Sequence, residues 1–170
     1  VWTEEIPRIF ETYRSISAGE TEEGVVICYG SMYDNTRLVA EAIAEGVASQ
    51  GIKHILVHNL SVSAPSFVLR DIFKYRGLAI GSPTYNGSAF AVVEDLLKRL
   101  TARQGCGRKL AVFGGYSWAS KAVCTIRKYN ETMKMEEVAD ALEWKQGATP
   151  EVLAKARLLG EALGKAVKEG

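Results

Sequence analysis

The sequence predicts an α/β fold, a doubly wound five-stranded parallel sheet with helices on both faces. Apolar, β-prone runs alternate along the chain with segments of helical periodicity, and each run is nearly continuous rather than alternating in polarity. Continuous apolar runs are typical of parallel strands whose two faces are both covered by helices. The 170 residues, 47% of them hydrophobic, are enough for one domain with its own core.

The strands are predicted in chain order at Val25–Tyr29, Ile52–Val57, Leu78–Ile80 and Leu110–Phe113. A fifth strand is predicted within Met133–Val138 and Ala141–Lys145, with an interruption near Asp140. Apolar residues recur with helical spacing in three further segments, at Val39, Ala42, Ile43 and Val47, at Phe90, Val93, Leu97 and Leu100, and at Val152, Ala156, Leu159, Leu163 and Val167. The last of these helices has Thr149 as its predicted N-cap and Pro150 at its first position.

The first 23 residues differ in character from the rest of the chain. They carry six acidic and two basic residues, together with an amphipathic helical pattern in Ile6, Ile9, Phe10, Tyr13 and Ile16. The chain also begins at Val1 rather than at methionine. We therefore expect a fragment, in which residues 1–23 are a helix and linker from an upstream domain and residues 24–170 form the folded domain.

Composition argues against several classes of function. A net charge of +1 does not suit a broad nucleic-acid face, and no apolar run approaches the roughly 18 residues that span a membrane. Cysteines without metal-ligand or redox spacing favour a reducing, cytoplasmic setting, with Cys28 and Cys124 as buried small hydrophobes. His54 and His58 are expected to be surface histidines about 13 Å apart on a strand, so they cannot share one metal.

Positive charge is concentrated in residues 101–130, which contain six basic residues and no acidic one. Two interpretations of this run stay open. It is either a solvated surface or a docking patch, formed by Lys121, Arg127 and Lys128, that attracts an acidic redox partner by charge.

A hydroxyl-rich turn follows the first predicted strand and precedes a helical pattern. Its side chains at Ser31, Tyr33, Asn35 and Thr36 supply hydrogen-bond donors beside the unpaired N–H groups of the helix N-terminus, a combination that suits a phosphate. No Lys or Arg occurs between Gly24 and Thr36. Neutral donors favour a permanently bound cofactor over a nucleotide that is hydrolysed, and both the P-loop and the dinucleotide fingerprints are missing.

Three turns are predicted to meet at the carboxyl edge of the sheet, where ligands of doubly wound folds bind. They are Gly30–Thr36, Gly81–Gly87 and Gly114–Ala119. The first supplies phosphate donors, and the other two supply aromatic rings beside small residues. This combination indicates a planar, aromatic phosphoester held between rings.

These motifs resemble the FMN-binding, flavodoxin-like domain of flavodiiron proteins, also called A-type flavoproteins. The matching segments are Ser31–Thr36, Ser82–Asn86 and Phe113–Trp118, and the lead-in Trp2–Ser15 is similar to the segment that follows the diiron domain. The resemblance covers essentially the whole chain and implies strand order 2-1-3-4-5. One departure is Asp34, which stands where the family has glycine; a carboxylate roughly 6 Å from the phosphate costs on the order of 1 kcal/mol in water.

The resemblance also implies residue roles. Ser31, Met32, Asn35 and Thr36 hold the phosphate, Tyr85 and Trp118 flank the isoalloxazine, and the Asn86–Gly87 peptide reorients toward N5 because both residues tolerate positive φ. No catalytic residue is expected. The full cofactor-binding set is Ser31, Met32, Tyr33, Asn35, Thr36, Pro83, Thr84, Tyr85, Asn86, Gly87, Gly115, Tyr116, Ser117 and Trp118.

The function that this resemblance implies is electron transfer. In the family, a donor such as rubredoxin reduces FMN. Electrons then pass to a diiron centre, which reduces O₂ or NO. This centre lies in a metallo-β-lactamase-like domain that belongs to the second subunit of a homodimer. That domain is absent from this chain. A stand-alone flavodoxin-like carrier and an NAD(P)H:quinone reductase stay open, although no nicotinamide motif is present. A response-regulator receiver is disfavoured, because Tyr29–Ser31 and Gly81–Pro83 occupy the places of its acidic residues.

Overall fold

The computed structural model describes residues 7, 10, 11, 14, 18–103 and 107–170. Within the acidic lead-in, Pro7, Phe10, Glu11 and Arg14 are helical. The other residues of the helix predicted there, Ile6, Ile9, Tyr13 and Ile16, lie outside the described residues, as does Cys106. The division of the chain at residue 23 therefore stays a prediction.

Seven strands of the described residues form one sheet. They are β1 (Glu22–Tyr29), β2 (Ile55–Asn59), β3 (Tyr75–Tyr85), β4 (Ser88–Ala89), β5 (Lys109–Tyr116), β6 (Glu136–Glu137) and β7 (Leu142–Lys145). The order is β2-β1-β3-β5-β6; β7 is also parallel to β5, and β4 pairs with β3 in an antiparallel hairpin. With the short β4 left out and β6 and β7 taken as one interrupted strand, this is the predicted parallel order 2-1-3-4-5, which is confirmed.

Within residues 18–103 and 107–170, five helices cover the sheet, on both of its faces as predicted. They are α1 (Asn35–Ser49), α2 (Pro65–Lys74), α3 (Ala91–Ala102), α4 (Ala122–Met133) and α5 (Pro150–Glu169). Side chains alternate along β1, so that Val25 and Ile27 pack against α1 and α5 while Val26 and Cys28 pack against α2, α3 and α4. No helix was predicted from periodicity at α2 or α4. The predicted N-cap Thr149 is confirmed, since its hydroxyl accepts a hydrogen bond from the Val152 amide at 3.4 Å.

Two predictions about single side chains are wrong. Cys124 is exposed on α4, whereas Cys28 is buried as predicted. His58 is not a surface histidine: its side chain is only 15% exposed and its Nε2 lies 3.0 Å from Oδ2 of buried Asp71. His58 is the penultimate residue of β2, and its partner Asp71 lies on α2. His54 is exposed, as predicted.

Candidate functional site

The three predicted turns meet around one cleft at the carboxyl edge of the sheet. The first turn leads into α1, the second follows the parallel part of β3, and the third follows β5. Twelve residues line the cleft: Ser31, Met32, Tyr33, Asn35, Thr36, Pro83, Thr84, Gly115, Tyr116, Ser117, Trp144 and Gln146. None of these lining side chains carries a formal charge at neutral pH.

The hydroxyl-rich turn contains a buried polar atom without a partner. The Oγ of Ser31 is inaccessible to solvent and makes no hydrogen bond with the described residues. Next to it, Asn35 begins α1, and its Oδ1 accepts a hydrogen bond from the Ala148 amide at 3.1 Å. That bond fixes the orientation of the Asn35 amide and leaves its NH₂ group free to donate elsewhere. The turn therefore offers donors without a cation.

Asp34, the departure from the family pattern, has a conformational explanation. It is the N-cap of α1 and adopts the left-handed conformation, with φ 59°, and its side chain makes no cap bond. Glycine adopts this conformation freely, and Asp tolerates it better than most residues. The carboxylate is exposed and lies 3.3 Å from Nε of Arg37. Arg37 in turn has a raised pKa because it donates hydrogen bonds to Glu41 and Asp34.

The second turn is a tight hairpin between β3 and β4. Asn86 and Gly87 form its two-residue loop, with φ 49° and 77°, the positive values that a type I′ turn requires. Tyr85 is about half exposed. Its ring packs edge-on against the ring of Phe90, with the two ring centroids 5.8 Å apart. Tyr85, Asn86 and Gly87 lie outside the cleft lining, although they stand beside Pro83 and Thr84 in sequence.

The third turn begins inside the cleft lining and ends outside it. Tyr116 and Ser117 line the cleft, and the Tyr116 carbonyl accepts a hydrogen bond from the Gln146 amide at 2.8 Å. Trp118 is 97% exposed and lies outside the lining. The turn is tied to the second one because the Thr84 hydroxyl accepts hydrogen bonds from the amides of Lys121 and Ala122.

Ten of the fourteen residues predicted from the sequence thus share one cleft, and four lie around it. Two further lining residues, Trp144 and Gln146 at the end of β7, were not predicted from the sequence. Trp144 is 4% exposed, and its Nε1 has no hydrogen-bond partner among the described residues. The available signal was the predicted fifth strand, whose carboxyl end reaches the same edge of the sheet as the three turns.

The basic run of residues 101–130 does not form one open face. Arg108 is buried and donates to the carbonyls of Ile72 and Phe73. Arg127 makes a bidentate pair with Glu137, and Lys109 pairs with Glu136. Of the predicted docking patch, Arg127 is therefore paired, while Lys121 and Lys128 are exposed. The docking patch stays a prediction.

Two absences are found within the described residues. No helix in this part of the chain is long and apolar enough to cross a membrane. Across residues 18–103 and 107–170, no group of three or more His, Cys, Asp or Glu side chains could hold a metal ion.

Sequence comparison finds relatives among nitric oxide reductases. The chain is 32% identical over 127 residues to an anaerobic nitric oxide reductase flavorubredoxin of Vibrio vulnificus, covering 72% of this chain and 25% of the relative. It is 29% identical over 140 residues to a nitric oxide reductase of Moorella thermoacetica, covering 82% and 35%. The chain therefore spans only a quarter to a third of the length of these relatives.

Among solved structures with the same fold, some match this chain with part of a longer protein, and others match it with nearly their whole length. Rubredoxin oxygen:oxidoreductase from Desulfovibrio gigas matches 96% of this chain with 40% of its own, at a TM-score of 0.89 and 18% identity. The flavodiiron protein from Giardia intestinalis matches the same share of this chain, again at 0.89, with 24% identity. A flavodoxin from the Archaea matches 85% of this chain with 99% of its own, at a TM-score of 0.77 and 24% identity.

The flavodoxin family model matches residues 27–159, which contain the end of β1, all of β2 to β7, the three turns and part of α5. The sequence relatives place the homology in the corresponding part of flavorubredoxins. Fold, family match and relatives agree with the resemblance drawn from the motifs. The chain belongs to the flavodoxin family.

Proposed function

We propose that this chain binds FMN and serves as the electron-transfer domain of a cytoplasmic flavodiiron oxidoreductase. It would take electrons from a rubredoxin-like donor and pass them to a diiron centre, in a separate metallo-β-lactamase-like domain, that reduces O₂ or NO. The similarity to flavorubredoxin and flavodiiron proteins supports this role. The single observation that carries cofactor binding is the buried, unpartnered Ser31 hydroxyl beside the N-terminus of α1.

The cleft fits the phosphate end of FMN. A buried hydroxyl without a partner costs free energy unless a ligand supplies one, and the first turn of a helix adds N–H groups and the positive end of its dipole. We assign the phosphate to Ser31, Met32, Tyr33, Asn35 and Thr36. When bound, FMN supplies one- and two-electron transfer.

The isoalloxazine would lie between the second and third turns. Pro83 and Thr84 line the cleft there, as do Gly115, Tyr116 and Ser117, and we assign the exposed rings of Tyr85 and Trp118 to its rim. The Asn86–Gly87 turn is assigned to the N5 edge of the ring. These residues bind and orient the ring system and exclude water from one side, and none of them acts as an acid or base.

Cofactor binding is tested by titrating FMN into the purified chain and following the quenching of flavin fluorescence. Ser31→Ala removes the buried hydroxyl and is expected to weaken FMN binding about tenfold, the value of a hydrogen bond to a charged group. Ser61→Ala serves as a matched control, because Ser61 lies after β2, outside the cleft. If the folded wild-type chain failed to bind FMN at saturating concentration, the proposal would be wrong.

Reduction kinetics separate this role from the two alternatives. We expect the FMN-loaded chain to be reduced quickly by a reduced rubredoxin and only slowly by NADH or NADPH. Rapid reduction by a nicotinamide with turnover of a quinone would favour the reductase alternative. If unrelated one-electron donors reduced the FMN-loaded chain as fast as rubredoxin does, the stand-alone carrier would be favoured.

A further inference from the structure

Trp144 is the second buried polar group of the cleft that lacks a partner. Its side chain is 4% exposed, and its Nε1 makes no hydrogen bond with the described residues. An indole N–H can only donate, and a buried Trp usually finds an acceptor. The described residues thus leave this N–H without an acceptor, and a ligand in the cleft that Trp144 lines can supply one.

The pairing of Trp144 with Gly115 places its indole at the cleft. The two residues are partners in the parallel register of β7 and β5. A Cβ added to Gly115 would lie 2.9 Å from Cε2 and 3.1 Å from Nε1 of the indole. The ring therefore lies directly over the glycine backbone, and the nitrogen edge of the ring lies at the third turn.

Trp144 lies on the same side of the cleft as the start of α1. Its side chain packs on the face of the sheet that α1 covers, and the hydrogen bond from the Ala148 amide to Asn35 holds the segment after β7 against the first residue of that helix. All five residues assigned to the phosphate line the cleft with Trp144, as do five residues assigned to the isoalloxazine. The Ser31 hydroxyl is unpartnered in the same cleft, and the lining contains no cation to balance a phosphate dianion. Such an anion must be held by neutral donors, and each donor that is already desolvated binds it without a further desolvation cost.

We infer that Nε1–H of Trp144 donates to the FMN phosphate, together with Ser31, from the end of β7 on the same face of the sheet as α1. This inference rests on the proposed FMN function. It assigns a phosphate-binding residue to the end of the last strand, outside the three turns. It also gives Gly115 a role, because any side chain there would displace the indole.

The test compares FMN with riboflavin, which lacks the phosphate. Trp144→Phe keeps a ring over Gly115 and removes the N–H. We expect it to weaken FMN binding about tenfold or more and riboflavin binding by less than about twofold, because a charge-assisted hydrogen bond is lost only with FMN. Trp118→Phe is the matched control: it is expected to leave the ratio of the two dissociation constants unchanged.

A measurement on the wild-type chain guards against misfolding of the variant. Its three indole N–H resonances are assigned by Trp118→Phe and Trp2→Phe, and the third belongs to Trp144. We expect FMN, and not riboflavin, to move the Trp144 indole proton downfield. The inference is overturned if FMN binds without moving this resonance, or if Trp144→Phe changes both affinities equally. If neither flavin binds the wild-type chain, the proposed function itself fails.

Discussion

The hydroxyl oxygen of Thr84 lies 3.1 Å from the backbone nitrogen of Ala122 and accepts its hydrogen bond, as it does from Lys121 at the same distance. Ala122 is the first residue of α4, and that helix has no side-chain cap of its own at Lys121. A residue of β3 thus caps a helix that begins after β5. The second and third turns of the cleft are held together by this cap.

Removal of the cap should destabilise the domain. Thr84→Val keeps the shape of the side chain but leaves two amides at the start of α4 without an acceptor, so we expect the free energy of unfolding to fall by about 1 kcal/mol. Urea denaturation followed by circular dichroism measures this change. Thr84→Ser retains the hydroxyl and is expected to retain most of the stability; a Thr84→Val variant as stable as wild type would show that the cap contributes nothing.

The crossing of α1 and α5 depends on two glycines. A Cβ at Gly46 would overlap the carbonyl oxygen of Arg157, and one at Gly160 would overlap that of Ile43. Helix propensity alone predicts that a Gly→Ala substitution raises the free energy of unfolding by about 1 kcal/mol. We expect the opposite sign, a loss of about 1–3 kcal/mol for either variant, because backbone cannot move aside without separating the helices.

Chemical denaturation of Gly46→Ala, Gly160→Ala and the double variant tests this packing. Both substitutions push the same two helices apart, so the loss in the double variant should be smaller than the sum of the single losses. Lys155→Ala, on the exposed face of α5, is the control and should change stability by less than about 0.5 kcal/mol. A gain in stability in either glycine variant would contradict the close crossing.

Asp34 is expected to affect the fold more through its backbone than through its charge. At φ 59°, alanine costs about 1–2 kcal/mol while glycine and asparagine are tolerated. Asp34→Ala should therefore lower the denaturation midpoint, and Asp34→Gly should not. Because Arg37 pairs with the carboxylate, Asp34→Asn should raise FMN affinity by less than about threefold. A rise of more than about tenfold at low salt would show that Arg37 does not offset the charge.

The sequence was informative where the structure depends on local patterns. Continuous apolar runs predicted every parallel strand, and the interruption near Asp140 is the gap between β6 and β7. Turn composition and the family resemblance together identified ten residues of the cleft, and these residues meet because strand ends of a parallel sheet lie at one edge. The helix α4 was missed because its apolar positions are few, and the polar stretch from Arg127 to Glu131 hides the period of 3.6 residues.

Other features depend on contacts between distant segments. The place of Trp144 in the cleft follows from its register with Gly115, and the register of parallel strands is not encoded in either strand alone. His58 is half-buried because α2 brings Asp71 against it, a contact that neither strand nor helix pattern contains. Cys124 was assigned to the core by residue type, whereas the face of α4 on which it lies is exposed.

The buried thiol of Cys28 should make the domain lose stability at alkaline pH. Burial, and secondarily the negative charge of Asp71, raise the pKa of Cys28 far above its ordinary value of 9.0. In the unfolded chain the thiol ionises near that value, while in the folded chain it stays protonated. The stabilisation is therefore complete below about pH 9 and is lost as the pH rises further, by about 1.4 kcal/mol per pH unit. Tyr29, whose pKa is also raised by burial, contributes in the same direction above its ordinary value of 10.0.

Denaturation midpoints between pH 7 and pH 10.5 measure this dependence. Cys28→Ala lowers stability at every pH by removing a buried side chain, but its profile should fall less steeply above pH 9 because one titrating group is gone. Cys124→Ala is the matched control, since the exposed thiol of Cys124 is expected to leave the slope unchanged. Identical slopes for wild type and Cys28→Ala would mean that the alkaline loss comes from other groups, with Tyr29 as the first to test by Tyr29→Phe.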